Sequence, residues 1–147
     1  GKKSATGSLE QDADIIKTVY DPSPVGYKMP ASNGFTGFTT TGDNTETKSA
    51  YNIYGTFNYG LYFYTQPGKK GSIVYFPAAG FRYRKTGAIT EVGNTCHYWS
   101  AVVPNTTDVD YGYNLYFEYS STKEANKIMP LCSNLRASGF SVRPVKE

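Results

Sequence analysis

A chain of 147 residues holds one domain of ordinary size. Tyr, Phe and Trp total 23 residues against 20 for Ile, Leu and Val, and with 15 Gly and 8 Pro this composition excludes a helical bundle and an intrinsically disordered chain. The net charge of +3 comes from scattered lysines and arginines with no basic stripe or recognisable module, so no nucleic-acid partner is expected.

Residues 1–10 begin small and polar and are read as a linker, leaving 11–147 as a single domain. Ile15, Ile16 and Val19 share one stripe and predict a short helix over 11–19, ended by Asp21-Pro22-Ser23-Pro24 because the residue before a proline disfavours helical geometry. A second helical turn is predicted from Ser32 as N-cap, with Phe35 and Phe38 on one side. Residues 39–49 are Thr-, Asn- and Gly-rich and read as an exposed loop without core residues.

Beyond residue 49 the period changes to two. Segment 57–65 carries Phe57, Tyr59, Leu61 and Phe63 on one face. Segment 111–119 alternates Tyr111, Tyr113, Leu115, Phe117 and Tyr119 with Gly112, Asn114, Tyr116 and Glu118. Residues 72–76 are apolar on both faces and predict a central strand, while 140–145 predict a closing strand that Pro144 limits to an edge or an end. The expected class is α+β, dominated by strands. Leu61-Tyr62-Phe63-Tyr64 is bulky on both faces, so one set lies outside a single core layer. It is either exposed for carbohydrate or protein, which the apolar body and polar tip of tyrosine suit, or covered by a second layer.

Catalytic constellations are scarce. His97 is the only histidine and adjoins Cys96, but neighbours on a strand face opposite ways and cannot form a dyad. Two cysteines, Cys96 and Cys132, match no zinc spacing and are expected as free thiols. Gly68-Lys69-Lys70-Gly71-Ser72 lacks P-loop spacing and reads as a hairpin turn. The loop Asn105-Thr106-Thr107-Asp108-Val109-Asp110 is rich in oxygen ligands but departs from an EF-hand, so a solvated turn is expected there; neither metal nor cofactor is. No apolar run approaches the ~20 residues of a membrane-spanning helix.

Five motifs in order carry a resemblance: Lys17-Thr18-Val19-Tyr20-Asp21-Pro22-Ser23-Pro24-Val25-Gly26-Tyr27-Lys28-Met29-Pro30, Tyr75-Phe76-Pro77-Ala78-Ala79-Gly80-Phe81-Arg82, Tyr98-Trp99-Ser100, Leu115-Tyr116-Phe117, and Gly139-Phe140-Ser141-Val142-Arg143-Pro144-Val145-Lys146. Together they resemble the Fibrobacter succinogenes major paralogous domain, over roughly residues 15–147. The resemblance implies a C-terminal module of a secreted, lipoprotein or fimbrillin-associated adhesin of Bacteroidetes. It also implies a fold similar to the sulfatase-modifying, C-type lectin-like class, with first and last strands side by side and long loops over a small twisted sheet. Many members have cysteine where Ser23 stands, and some where Pro144 stands, so a bridge between the ends is not expected here. Cys96 and Cys132 do not fall in the catalytic cysteine pattern of the sulfatase-modifying enzymes, and the calcium motifs of sugar-binding lectins are absent.

The expected function is therefore non-enzymatic: cell-surface adhesion through a glycan or protein ligand on a host or neighbouring cell, with a structural capping module as the alternative. Any membrane attachment is expected through an anchor outside this sequence, placing the domain at the outer membrane or in the extracellular space. Recognition is expected on loops. Arg82, Tyr83 and Arg84 (followed by Lys85) offer cationic donors around an aromatic ring, and Asp108, Asp110 and Tyr111 offer acceptors on a second loop.

Overall fold

The computed structural model describes residues 17–102, 110–119 and 125–147. Most of the predicted 11–19 helix lies outside them, and residues 17–20 lead irregularly into a turn closed by Asp21 N–H on the Thr18 carbonyl. Among the described residues strands dominate, in antiparallel sheets, with two short 3-10 helices: the α+β expectation holds at that level.

In chain order the elements are β1 (Tyr27–Lys28), a first 3-10 helix (Ser32–Phe38), a second (Lys48–Ala50), β2 (Ile53–Tyr54), β3 (Gly60–Gln66), β4 (Lys70–Pro77), β5 (Phe81–Arg82), β6 (Ile89–Thr90), β7 (Thr95–Trp99), β8 (Tyr111–Tyr119), β9 (Ala125–Leu135) and β10 (Val145–Lys146). Two three-stranded sheets, β2–β3–β4 and β7–β8–β9, carry the bulk of the fold. β5 pairs with β6, and β1 pairs with β10, so the first and last described strands lie side by side.

The core lies between the inner faces of the large sheets and the first 3-10 helix. Leu61 and Phe63 of β3, Phe76 of β4, Cys96 and Tyr98 of β7, and Leu115 and Phe117 of β8 point into it. Phe38 stacks on Phe63 at 4.0 Å and meets Phe76 edge-on at 5.1 Å, while Phe63 reaches Phe117 at 5.7 Å. These rings supply the area that aliphatics would in a Leu-rich core. The 3-10 geometry explains why Phe35 and Phe38 share a side: residues three apart eclipse. The cap differs from expectation. Ala31 occupies the N-cap position with no side-chain hydrogen bond, and Ser32 is buried inside the helix.

Three further expectations are corrected. Residues 39–49 are not free of the core: Thr39 is buried, and Asn44 brackets Leu131, its amide donating to the Leu131 carbonyl (3.1 Å) and its oxygen accepting the Leu131 N–H (2.9 Å). This pair imitates a strand ladder along the edge of β9. The predicted central strand at 72–76 is β4, an edge strand, with Ser72 and Ile73 exposed and only Phe76 buried; β3 is central. Residues 140–145 do not form one strand. Phe140 lies across β7, stacked on His97 at 4.2 Å and on Trp99 at 4.3 Å; Ser141 makes a single bridge to Tyr98, and strand pairing resumes at Val145. Ring contacts and the backbone hydrogen bonds of Ser141 with His97 and Trp99 together hold this strap, where Pro144 limits a longer ladder.

Candidate functional site

The two large sheets treat their outer faces differently. On β7–β8–β9 the outward rings of His97 and Trp99 are covered by Phe140, His97 also meets Phe81, and Tyr116 stacks on His97. On β2–β3–β4 the outer face is open. Register aligns Tyr54 with Tyr62, Tyr62 with Tyr75, and Tyr64 with Ile73, so all five side chains share one face while Ile53, Phe63 and Val74 share the other. The rings are in mutual contact: Tyr62 and Tyr75 lie 4.7 Å apart, and Tyr54 meets Tyr64 edge-on at 6.0 Å. Tyr54 is 53% exposed, Tyr62 36% and Ile73 45%. Of the two alternatives left open by the sequence, exposure wins over a second covering layer.

The platform is rigidly held. The Tyr75 hydroxyl donates to the Asn58 carbonyl at 2.9 Å, and burial, aided by the neighbouring Tyr62, raises its pKa. Arg143 donates to the Tyr75 carbonyl and lies over the Phe76 ring at 4.3 Å, tying the C-terminal strap to β4. Gly60 starts β3 where a Cβ would meet the Phe76 carbonyl at 2.4 Å, so only glycine lets the two strands approach there.

A groove of about 400 Å3 opens beside Tyr54 and Tyr64, between the second 3-10 helix and the β3–β4 turn. Tyr51, Ile53 and Phe57 line it, and Lys48 and Lys69 stand at it. Asn52 determines its shape. Fully buried, its amide donates to the carbonyls of Gly37 (2.7 Å) and Gln66 (2.9 Å) and approaches that of Tyr64 (3.3 Å), while its oxygen accepts the Lys69 N–H at 2.8 Å. One side chain thus fastens the hairpin turn to the first 3-10 helix and positions both Tyr64 and Lys69. The turn is the predicted hairpin, with Gly68, Lys69 and Gly71 all at positive φ.

The residues expected to bind lie on two segments, the second of which is described only in part. Arg82 packs along Gly139 and donates to the Gly87 carbonyl, fastening its own hairpin. Arg84 stands over the Tyr83 ring at 5.6 Å. Asp108 lies outside the described residues, as do 105–107 and 109 of the oxygen-rich loop. The Asp110 carbonyl receives the Arg136 N–H, and Tyr111 opens β8. Gly80 sits beside Cys96, which pairs with Phe117, six residues along β8 from Tyr111. Arg82 itself bridges Gly139, three residues beyond Arg136, whose N–H the Asp110 carbonyl accepts.

His97 and Cys96 face opposite ways, as strand neighbours must. The Cys96 thiol is raised well above its ordinary pKa by burial in the core. His97, on the outer side, is lowered to about 4 by burial among rings, with the Asn114 amide 3.2 Å from its Nδ1. Both thiols are free. β8 separates Cys96 on β7 from Cys132 on β9, so they stand ~10 Å or more apart, beyond disulfide reach. Among the described residues no group of three or more His, Cys, Asp or Glu converges. A second cleft of about 430 Å3, lined by Tyr20, Asp21, Trp99 and Arg136 among others, lies away from the tyrosine face. Asp21 accepts the N–H groups of Ser23 and Met29 there and serves the turn before β1.

No family model, curated protein or solved structure matches the chain.

The tyrosine face was half visible in sequence. Tyr62, Tyr64 and Tyr75 alternate against buried neighbours, but Tyr54 sits on a two-residue strand without legible period, and the Lys48–Lys69 groove is assembled only by the fold.

Proposed function

We propose that this chain is a non-enzymatic binding domain of a bacterial cell surface that holds a glycan on the outer face of β2–β3–β4. The carrying observation is the contiguous row of exposed Tyr54 and Tyr62 and half-buried Tyr75 on a sheet whose opposite face is fixed by the aromatic core. Sugar rings present C–H faces that pack on aromatic planes, with hydroxyls that pair with phenol tips, and the preset rings lose little entropy on binding. The motif order resembling the Fibrobacter succinogenes major paralogous domain supports the surface and adhesin setting. The pairing of β1 with β10 is compatible with the lectin-like arrangement, which is part of this proposal.

Affinity electrophoresis in gels containing soluble polysaccharides tests the reading. Wild type is retarded by at least one polymer, and the Tyr54→Ala/Tyr62→Ala double variant loses about 1.4 kcal/mol or more, a tenfold weakening. Retardation by none across a broad panel favours the capping-module alternative and ends the glycan reading.

A further inference from the structure

We propose that residues 139–143 form an acid-released latch: protonation of His97 lifts this strap from β7 while the two large sheets stay folded. His97 is buried between Phe140 of the strap, stacked on it at 4.2 Å, and Tyr116 of β8, stacked on it at 4.7 Å. Phe81 meets the imidazole edge-on at 5.1 Å. The hydrogen bonds around the ring require it to be neutral. The Asn114 amide stands 3.2 Å from Nδ1 and donates to the Leu115 carbonyl at 3.0 Å, while the Asn114 oxygen accepts the Asn134 amide at 3.0 Å. Turning Asn114 over would set oxygen against the Leu115 carbonyl and amide against amide at Asn134, so its orientation is fixed. The row of donors from Asn134 through Asn114 ends on Nδ1, which must accept. An imidazolium carries a proton on both nitrogens, and its Nδ1–H would face the Asn114 amide instead of an acceptor.

The charged and titratable groups on the neighbouring elements are engaged elsewhere. On β8 the Tyr116 hydroxyl donates to Glu118, which also receives Asn126 and Lys127. On β9 Cys132 touches the Asn134 amide at 3.4 Å and stays a neutral thiol, raised by burial. Arg82, next to Phe81, donates to the Gly87 carbonyl, and Arg143 of the strap donates to the Tyr75 carbonyl. Glu91 acts on Tyr116. Burial lowers His97 from 6.5 to about 4, whereas an imidazole released to water returns to its ordinary value. Between those values each pH unit favours the open strap by up to about tenfold, on the order of a hundredfold in all. The strap is the element that yields. Two backbone hydrogen bonds tie it to β7, from Trp99 N–H to the Ser141 carbonyl (2.9 Å) and from Ser141 N–H to the His97 carbonyl (3.2 Å), and Gly139 exchanges two more with Arg82. β7 itself is laddered to β8 from Thr95 to Trp99 and buries Cys96 and Tyr98 in the core. Opening the strap therefore costs less than opening the sheet.

Trp99, the only tryptophan, stacks on Phe140 at 4.3 Å and reports on the strap. The test takes the whole chain from pH 7 to about pH 4 and follows Trp99 fluorescence, far-UV circular dichroism and amide exchange together. The Trp99 emission changes reversibly while the strand signal stays. The protection factors of the Trp99 and Ser141 amides fall about a hundredfold relative to those of β8. His97→Gln and His97→Phe, which cannot take up the proton, abolish both changes. Asp21→Asn keeps them, although Asp21 lines the same cleft as Trp99. Protection lost equally on β8 means global unfolding and overturns the inference. A change that persists in a folded His97 variant, vanishes in Asp21→Asn or never occurs in wild type overturns it as well. If neither His97 variant folds, the imidazole resonances of wild type decide. Titration of His97 in step with Trp99 and Ser141 supports the latch, and titration without them overturns it.

Discussion

Asn52→Leu removes the side chain on which the groove depends while keeping its volume nearly constant. Three of the Asn52 side-chain hydrogen bonds are short, at 2.7, 2.8 and 2.9 Å, and the residue has no exposed surface. Each is worth about 1 kcal/mol net, and the partners left unpaired in the interior add to that, so the loss is about 3–4 kcal/mol out of a typical total of about 5–15. In urea the midpoint falls by ~1–2 M with the slope unchanged. Asn52→Asp separates donor from acceptor. The new carboxylate can still accept the Lys69 N–H, but its other oxygen faces the Gly37, Tyr64 and Gln66 carbonyls. Its folded-state pKa is therefore raised, and the variant regains stability as pH falls and the carboxyl acquires a proton to donate. A loss below about 1 kcal/mol for Asn52→Leu, or an Asn52→Asp gap independent of pH, refutes the account of this brace.

The pKa of His97, lowered from 6.5 to about 4 by burial, means that the unfolded chain binds the extra proton between those values. Stability is complete above pH 6.5 and falls by about 3 kcal/mol toward pH 4, and His97→Phe, which keeps the ring stacks, removes that part of the slope; parallel profiles of variant and wild type contradict it. Cys132, pushed up to about 11 by burial, reacts slowly with a thiol reagent at neutral pH, and Cys96 reacts only on unfolding. Absence of both labels after unreduced denaturation shows a bridge and contradicts the free-thiol geometry. Phe38→Ala empties the contact between Phe63 and Phe76 and lowers stability by about 3–5 kcal/mol in urea unfolding; a value below 1 would mean that the 3-10 helix does not complete the core.

Alternation is readable when one face is buried and the other is not. β8, Tyr111 to Tyr119, coincides with the expectation although residues 112–115 are buried on both faces, because Gly112, Asn114 and Glu118 keep the period legible. β4 defeats the same rule: Val74 and Phe76 face the core while Ile73 and Tyr75 belong to the open aromatic face, and two apolar faces read as central burial. A pattern that looks doubly buried is thus also the signature of an exposed aromatic face. The ends of the chain were less legible because ring stacking, which has no sequence period, holds Phe140 on β7. The groove was invisible for a related reason, since Lys48 and Lys69 meet only after Asn52 folds the hairpin turn onto the 3-10 helix. The arginine turn at 82–84 was prominent in sequence, yet Arg82 is committed to a carbonyl of its own hairpin.

The central claim is where a glycan sits, and amide NMR with an oligosaccharide cut from whichever polymer retards the domain in the gels locates it directly. The account predicts shifts concentrated at Tyr54, Tyr62, Tyr64, Lys69 and Tyr75, fading across the core to β7–β9. Shifts centred on Tyr83 and Arg84, or on the cleft between Tyr20 and Arg136, with the β2–β3–β4 face unmoved, contradict it.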